Sequence, residues 1–242
     1  MIEYLKVENT KKSLFFWSSF SVLLSISFLF ILLTNKELYF KLAQENTNAE
    51  LLTAFFYFLA GILLIIFVIK KYSKKKHKVS KMVFFFPLCF ALFFLFIAGE
   101  EESWGQWFFN YQVPDSIKAT NYQEEINIHN LDFFLTSLMS THFILNSFAV
   151  FCGIILPVCY RFSEAIRNFI NKLHFPVCPL LCGPFILCGI FNERVGIMIL
   201  EHWSHCEIKE FIFSIAFFLF SISVITEKNK AVLGSKSSDL QT

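Results

Sequence analysis

The sequence predicts an all-α polytopic membrane protein with about six transmembrane helices and both termini cytoplasmic, and three observations lead there. Of the 242 residues, 55% are hydrophobic, 34 of them phenylalanine, and the mean hydropathy is +0.56; a typical soluble domain is roughly 45–50% apolar. Six apolar runs are long enough to cross a hydrocarbon core about 30 Å thick as helices. The basic residues alternate in step with those runs.

The first run, 14–33, is too long and uncharged for a signal-peptide core, and no small-residue cleavage site follows it, so it reads as a retained span. The second, 51–69, is followed by KKYSKKKHKVSK at 70–81, the strongest topology determinant in the chain. The same lysines also suit anionic headgroups. The third, 82–98, runs straight into Glu100, Glu101 and Glu102. The fourth, 133–160, contains Pro157, and the fifth, 175–191, contains Pro176, Pro179 and Pro184, which predicts kinked or broken helices with freed backbone groups. The sixth is 211–225. Residues 1–225 thus form a single membrane domain, and 226–242 read as a disordered cytoplasmic tail with too little apolar surface to offset its ordering entropy.

With the N-terminus in the cytoplasm, 16 of the 21 Lys and Arg fall inside and 14 of the 19 acids outside. That division follows the positive-inside rule and predicts a multi-pass protein of the inner (plasma) membrane whose direct partner is the lipid bilayer. The net charge of +2 conceals the asymmetry. Nucleic acid is excluded as a partner, because the basic residues hug the membrane and no soluble domain is present to dock a duplex. Six of the seven cysteines lie within the spans, so the sequence carries no disulfide framework; Cys178 and Cys182, one turn apart, read as small apolar residues.

Carboxylates against an apolar run are costly, by roughly 2.5–3.5 kcal/mol at the centre of a span, and tend to mark function. If the third span continues as a helix, Glu101, Trp104 and Phe108 share one face and Glu102 and Gln106 another. Residues 122–132 read as a second helix-like stretch, with Glu125 and His129 one turn apart beside Asn127 and Asn130. In 192–210, Glu193, Ile197, Glu201 and His205 fall on one helical face, with His202 and Cys206 on the next. The order Glu201, His202, His205 is not the H-E-x-x-H zinc signature. All these acids and imidazoles, with Glu207, lie on the outer side, where they make a ligand set for a divalent ion such as Zn, Mn or Fe.

The blocks GEEESWGQ (99–106) and NYQEEINIHN (121–130) resemble an uncharacterised family of bacterial multi-pass membrane proteins with the pattern GEEISWGQR, then N-x-Q-x-E-x-N-L-H-N. The likeness spans about 35 residues and departs at Glu102 and Trp107. It implies membership and brings no activity with it. Glu101, Trp104, Asn110, Tyr111, Glu125 and Asn130 also resemble the membrane-surface residues of the alkaline ceramidase superfamily of integral-membrane metal hydrolases. The zinc motifs Ser-x-x-x-His and His-x-x-x-His of that superfamily are absent here.

The expected activity is therefore a metal-dependent membrane enzyme, a hydrolase, acting on a lipid or lipid-linked substrate. Glu101, His129, His202 and His205 are the expected ligands, and Glu125 or Glu201 the general acid/base. Glu100, Glu102, Gln106, Asn127, Asn130 and Glu193 complete the polar site. Two alternatives stand beside it: a transporter or transport-assembly subunit with a carboxylate cation site, and a structural or assembly protein. His142 is the main ionisable residue inside the spans, which weighs against transport, and it reads as a helix-packing residue.

Overall fold

In the computed structural model, residues 11–43, 48–73, 80–109, 111–121, 124–128, 131, 141–200 and 206–226 are described. Among the described residues six helices are long and apolar enough to cross a membrane, so the chain is a multi-pass membrane protein. In order, they are α1 (Lys11–Thr34), a short α2 (Lys36–Ala43) capped by the side chain of Asn35, α3 (Asn48–Ser73) and α4 (Met82–Glu101). Single helical turns α5 (Gln106–Phe109) and α6 (Asp115–Lys118) follow, then α7 (Thr141–Val150) and α8 (Leu156–Phe162), which together make the fourth span. After α9 (Glu164–Leu173) come α10 (Cys182–Leu200) and α11 (Cys206–Ile225). The alternating direction of the spans places the starts of α3, α7 and α11 and the ends of α4 and α10 at one face, the acidic one; the opposite face is basic.

Three prolines explain where the fourth and fifth spans depart from plain helices. Pro157 has no N–H to donate, and its ring crowds the carbonyl four residues back at Gly153. The chain answers with one wide π turn, Phe151–Ile155, between α7 and α8. Residues 175–181, expected as the start of the fifth span, are not helical, because Pro176 and Pro179 interrupt them. The helix begins at Cys182 and runs on to Leu200, and this carries Asn192 and Glu193 into the bundle, where both are buried.

Since lipid tails are as apolar as leucine, close packing rather than water exclusion holds such helices together. α11 is the most enclosed, packed against α3 and α10, while α3 also packs on α4 and α1 on α10. The contacts are aromatic and tight. Tyr57 of α3 lies over Phe94 of α4 and Phe217 of α11, at centroid distances of 5.8 and 6.2 Å. Asn192 donates to Ser25 Oγ at 2.6 Å, tying α10 to α1. At Gly189 the approach of α10 to α11 is so close that an added Cβ would sit 2.7 Å from the Phe213 ring and 3.2 Å from the Lys209 carbonyl. A Gly189→Val change is therefore expected to cost about 1–3 kcal/mol by overpacking. It should lower the melting temperature of the detergent-solubilised protein, and an unchanged melting curve would contradict this packing.

Candidate functional site

α4 stops at Glu101. Glu102 has φ −96°, and Ser103, Trp104 and Gly105 then adopt left-handed backbone, with φ 44°, 55° and 81°. Only the glycine does so without strain. The expected helical continuation sharing a face between Glu101, Trp104 and Phe108 is thus not made. The turn instead folds Trp104 back over Gly99, where a Cβ would lie 2.9 Å from the indole, and its Nε1 donates to Glu100 at 2.6 Å.

Around that turn the two blocks of the motif clasp each other. Glu100 also accepts from the Ile128 backbone N–H at 2.6 Å, and Gln106 from that of Ile126 at 3.0 Å. Ser103 and Asn127 both donate to the buried Glu125 carboxylate, at 2.5 and 3.0 Å, and Asn121 donates to the backbone and side-chain oxygens of Asn127, each at 2.9 Å. Residues 124–128 are bends rather than helix, closed by a single antiparallel bridge between Asn121 and Leu131. Glu125 therefore stands on no helix, and His129, its expected companion, lies outside the described residues. Glu100→Gln should raise amide exchange across 124–128 while leaving the bundle's stability within about 1 kcal/mol of wild type; unchanged exchange would contradict this clasp.

Neighbouring residues on a helix point roughly 100° apart, so Glu101 faces elsewhere, into the bundle. There one oxygen each from Glu101, Glu207 and Glu210 lie within 4.8 Å of one another, a spacing suited to one metal ion. Glu101 and Glu210 are hydrogen-bonded to each other, and Glu50 of α3 is close enough to act on Glu101. Two carboxyl groups bond in this way only if they share a proton, and a cation can take its place.

Beneath the carboxylates lies Tyr57. It is fully buried, its hydroxyl has no hydrogen-bond partner among the described residues, and Glu210 and Glu101 are the charges acting on it. A register explains the convergence: Glu50, Glu101 and Glu210 each stand seven residues, two turns, toward the acidic face from Tyr57, Phe94 and Phe217. Side chains lean toward the N-terminus of their helix, which for α3 is the acidic end, so the tyrosine ring reaches up toward the acids.

Lys209 is the counter-charge. Its ammonium is completely buried, 2.6 Å from Glu193 and 3.6 Å from Glu210. His142 Nδ1 lies 3.4 Å from the same Glu210, with 40% of its side chain exposed. Glu101, Glu193, Glu207 and Glu210 thus gather around one lysine and one histidine among the described residues.

No family model, curated protein or solved structure matches this chain. The site is therefore read from its own residues.

Of the expected ligands, Glu101 enters the carboxylate group; His129, His202 and His205 lie outside the described residues, as do Glu201 and Asn130. Glu125, Glu100, Gln106 and Asn127 build the clasp, and Glu193 joins the carboxylates through Lys209. Glu102 is half-buried, which pushes its carboxyl pKa above the usual range, and it enters neither group among the described residues. Glu210, Lys209, Tyr57 and Glu50 did not figure as site residues in the sequence. The spacing of Glu207 and Glu210, three apart on one helical face at the mouth of the sixth span, was the available signal.

Proposed function

We propose that the protein is a divalent-metal-dependent enzyme of the inner (plasma) membrane that acts on a lipid or lipid-linked substrate at the acidic face. The observation that carries this reading is the convergence of Glu101, at the end of one span, with Glu207 and Glu210, at the start of another, within 4.8 Å. All three ligands are oxygens, the donors preferred by hard ions such as Mn²⁺ or Mg²⁺, and clustered carboxylates suit a cation. Such an ion supplies electrophilic activation of a carbonyl or phosphoryl oxygen, or of a water.

The chain's own groups supply the rest. Tyr57 offers a hydrogen-bond donor from below, and Lys209 keeps Glu193 and Glu210 in place. His142, partly exposed and in contact with Glu210, can hold or pass a proton at the rim. The clasp of 103–128 anchors Glu100, and through it the end of α4 from which Glu101 projects. The likeness to the uncharacterised bacterial family fits this arrangement, since Glu100, Ser103, Gln106, Asn121, Glu125 and Asn127 of its motif form the clasp.

The test is turnover of lipids by the protein reconstituted in vesicles of total polar lipid, followed by mass spectrometry. Loss of the product on chelation, restoration by Mn²⁺ and loss in Glu101→Gln are expected. Absence of any turnover, or turnover indifferent to chelator and to Glu101→Gln, would contradict the proposal. Burial of the Lys209–Glu193 pair beside the carboxylates favours the second reading, a cation site of a transporter; ion flux in the same vesicles without lipid turnover would support it.

A further inference from the structure

At the basic face, α8 ends at Phe162 and the chain turns through Ser163, extended at φ −108°, whose hydroxyl caps α9 by accepting from the Ile166 N–H. α9 is strongly amphipathic. Its Ile166 and Ile170 pack on Leu156, Tyr160 and Val177, and Tyr160 donates to Asn171 at 2.8 Å, so the helix is fixed against the end of the fourth span. Phe162 and Phe169 are nevertheless 81% and 61% exposed. Leaving a phenylalanine in water rather than in an apolar phase costs roughly 1.5–3 kcal/mol.

The same segment, RFSEAIRNFINKLH, carries Arg161, Arg167 and Lys172 against Glu164 alone. Among the described residues none of the three forms an ion pair. Arg167 is turned toward Arg161, donating to its carbonyl at 3.2 Å, which concentrates the charge rather than relieving it. An amphipathic helix with aromatic residues on one side and cations beside them lies in a lipid interface, where its rings enter the acyl boundary and its cations meet anionic headgroups.

We propose that α9 with Arg161 and Phe162 is a binding site for anionic phospholipid on the basic face of the protein, opposite the carboxylate group and independent of it. Exposed rings and cations without ion pairs, on rigidly mounted α9 and the adjoining end of α8, call for a ligand with both acyl chains and a negative phosphate. Phosphatidylglycerol is the probe. Native mass spectrometry of the full-length protein in detergent should show phosphatidylglycerol retained in preference to phosphatidylcholine. The variant R161Q/R167Q/K172Q should lose that preference by a factor on the order of ten or more, with an unchanged melting temperature.

R161K/R167K, which keeps the charge, and K70Q/K71Q, which removes cations elsewhere on the basic face, should both retain the preference. Glycerol phosphate, which has no acyl chains, should not displace the bound lipid. Retention of the preference in the triple glutamine variant, equal loss in K70Q/K71Q, loss in R161K/R167K or displacement by glycerol phosphate would each overturn the proposal.

Discussion

Replacing Lys209 with methionine is expected to destabilise the protein by about 3–5 kcal/mol, the range for removing one partner of a buried ion pair. The ammonium is fully buried and bonds Glu193 at 2.6 Å, with Glu210 at 3.6 Å. Methionine fills nearly the same volume, so the loss is electrostatic rather than one of packing. Glu193 and Glu210 would be left buried beside Glu101 and Glu207, and must take up protons or water to persist. The double change Lys209→Met with Glu193→Leu should recover much of that loss, because an apolar pair of similar size no longer strands a charge. Unfolding in mixed micelles measures both. A single variant within about 1 kcal/mol of wild type would mean that the pair is not buried in this way.

The second large effect has opposite signs with and without an ion. In the metal-free protein Glu101→Gln should raise stability by roughly 1–2 kcal/mol, because it removes one of three crowded, buried carboxyls. A cation present at 100 times its dissociation constant should stabilise wild type by about 2.7 kcal/mol. The variant should gain far less. Melting with and without Mn²⁺ therefore ought to reverse the order of the two proteins, as expected of a site whose ligands are held against their own repulsion. If Mn²⁺ shifts both equally, it acts elsewhere.

How far this was legible depends on the range of the interaction. Six spans and an acidic face follow from hydropathy and charge, which are local sums along the chain, and the six apolar helices are there. Glu101 was visible because it ends an apolar run. Its partners were not, since Glu207 and Glu210 are more than 100 residues away and only the packing of α11 between α3 and α10 brings them close. Lys209 is one of the five cations that the charge count leaves outside, and it is a buried counter-charge. Glu100 and Glu101 are adjacent, and a single helical step sends one to the 124–128 clasp and the other into the bundle. The left-handed turn at Ser103 and Trp104 was hidden for another reason: neither residue favours it, and it is held by Gly99, Glu100 and Tyr111, whose hydroxyl donates to the carbonyls of Ser103 and Trp104.

The most direct measurement is Mn²⁺ binding to chelator-stripped, detergent-purified protein, followed by electron paramagnetic resonance of the free ion. One tightly bound Mn²⁺ per chain is expected for wild type, accompanied by proton release as the Glu101–Glu210 hydrogen bond is replaced. Affinity in Glu101→Gln with Glu210→Gln should fall by a factor on the order of 100 or more. Equal binding by wild type and the double variant, or none by either, would contradict the account.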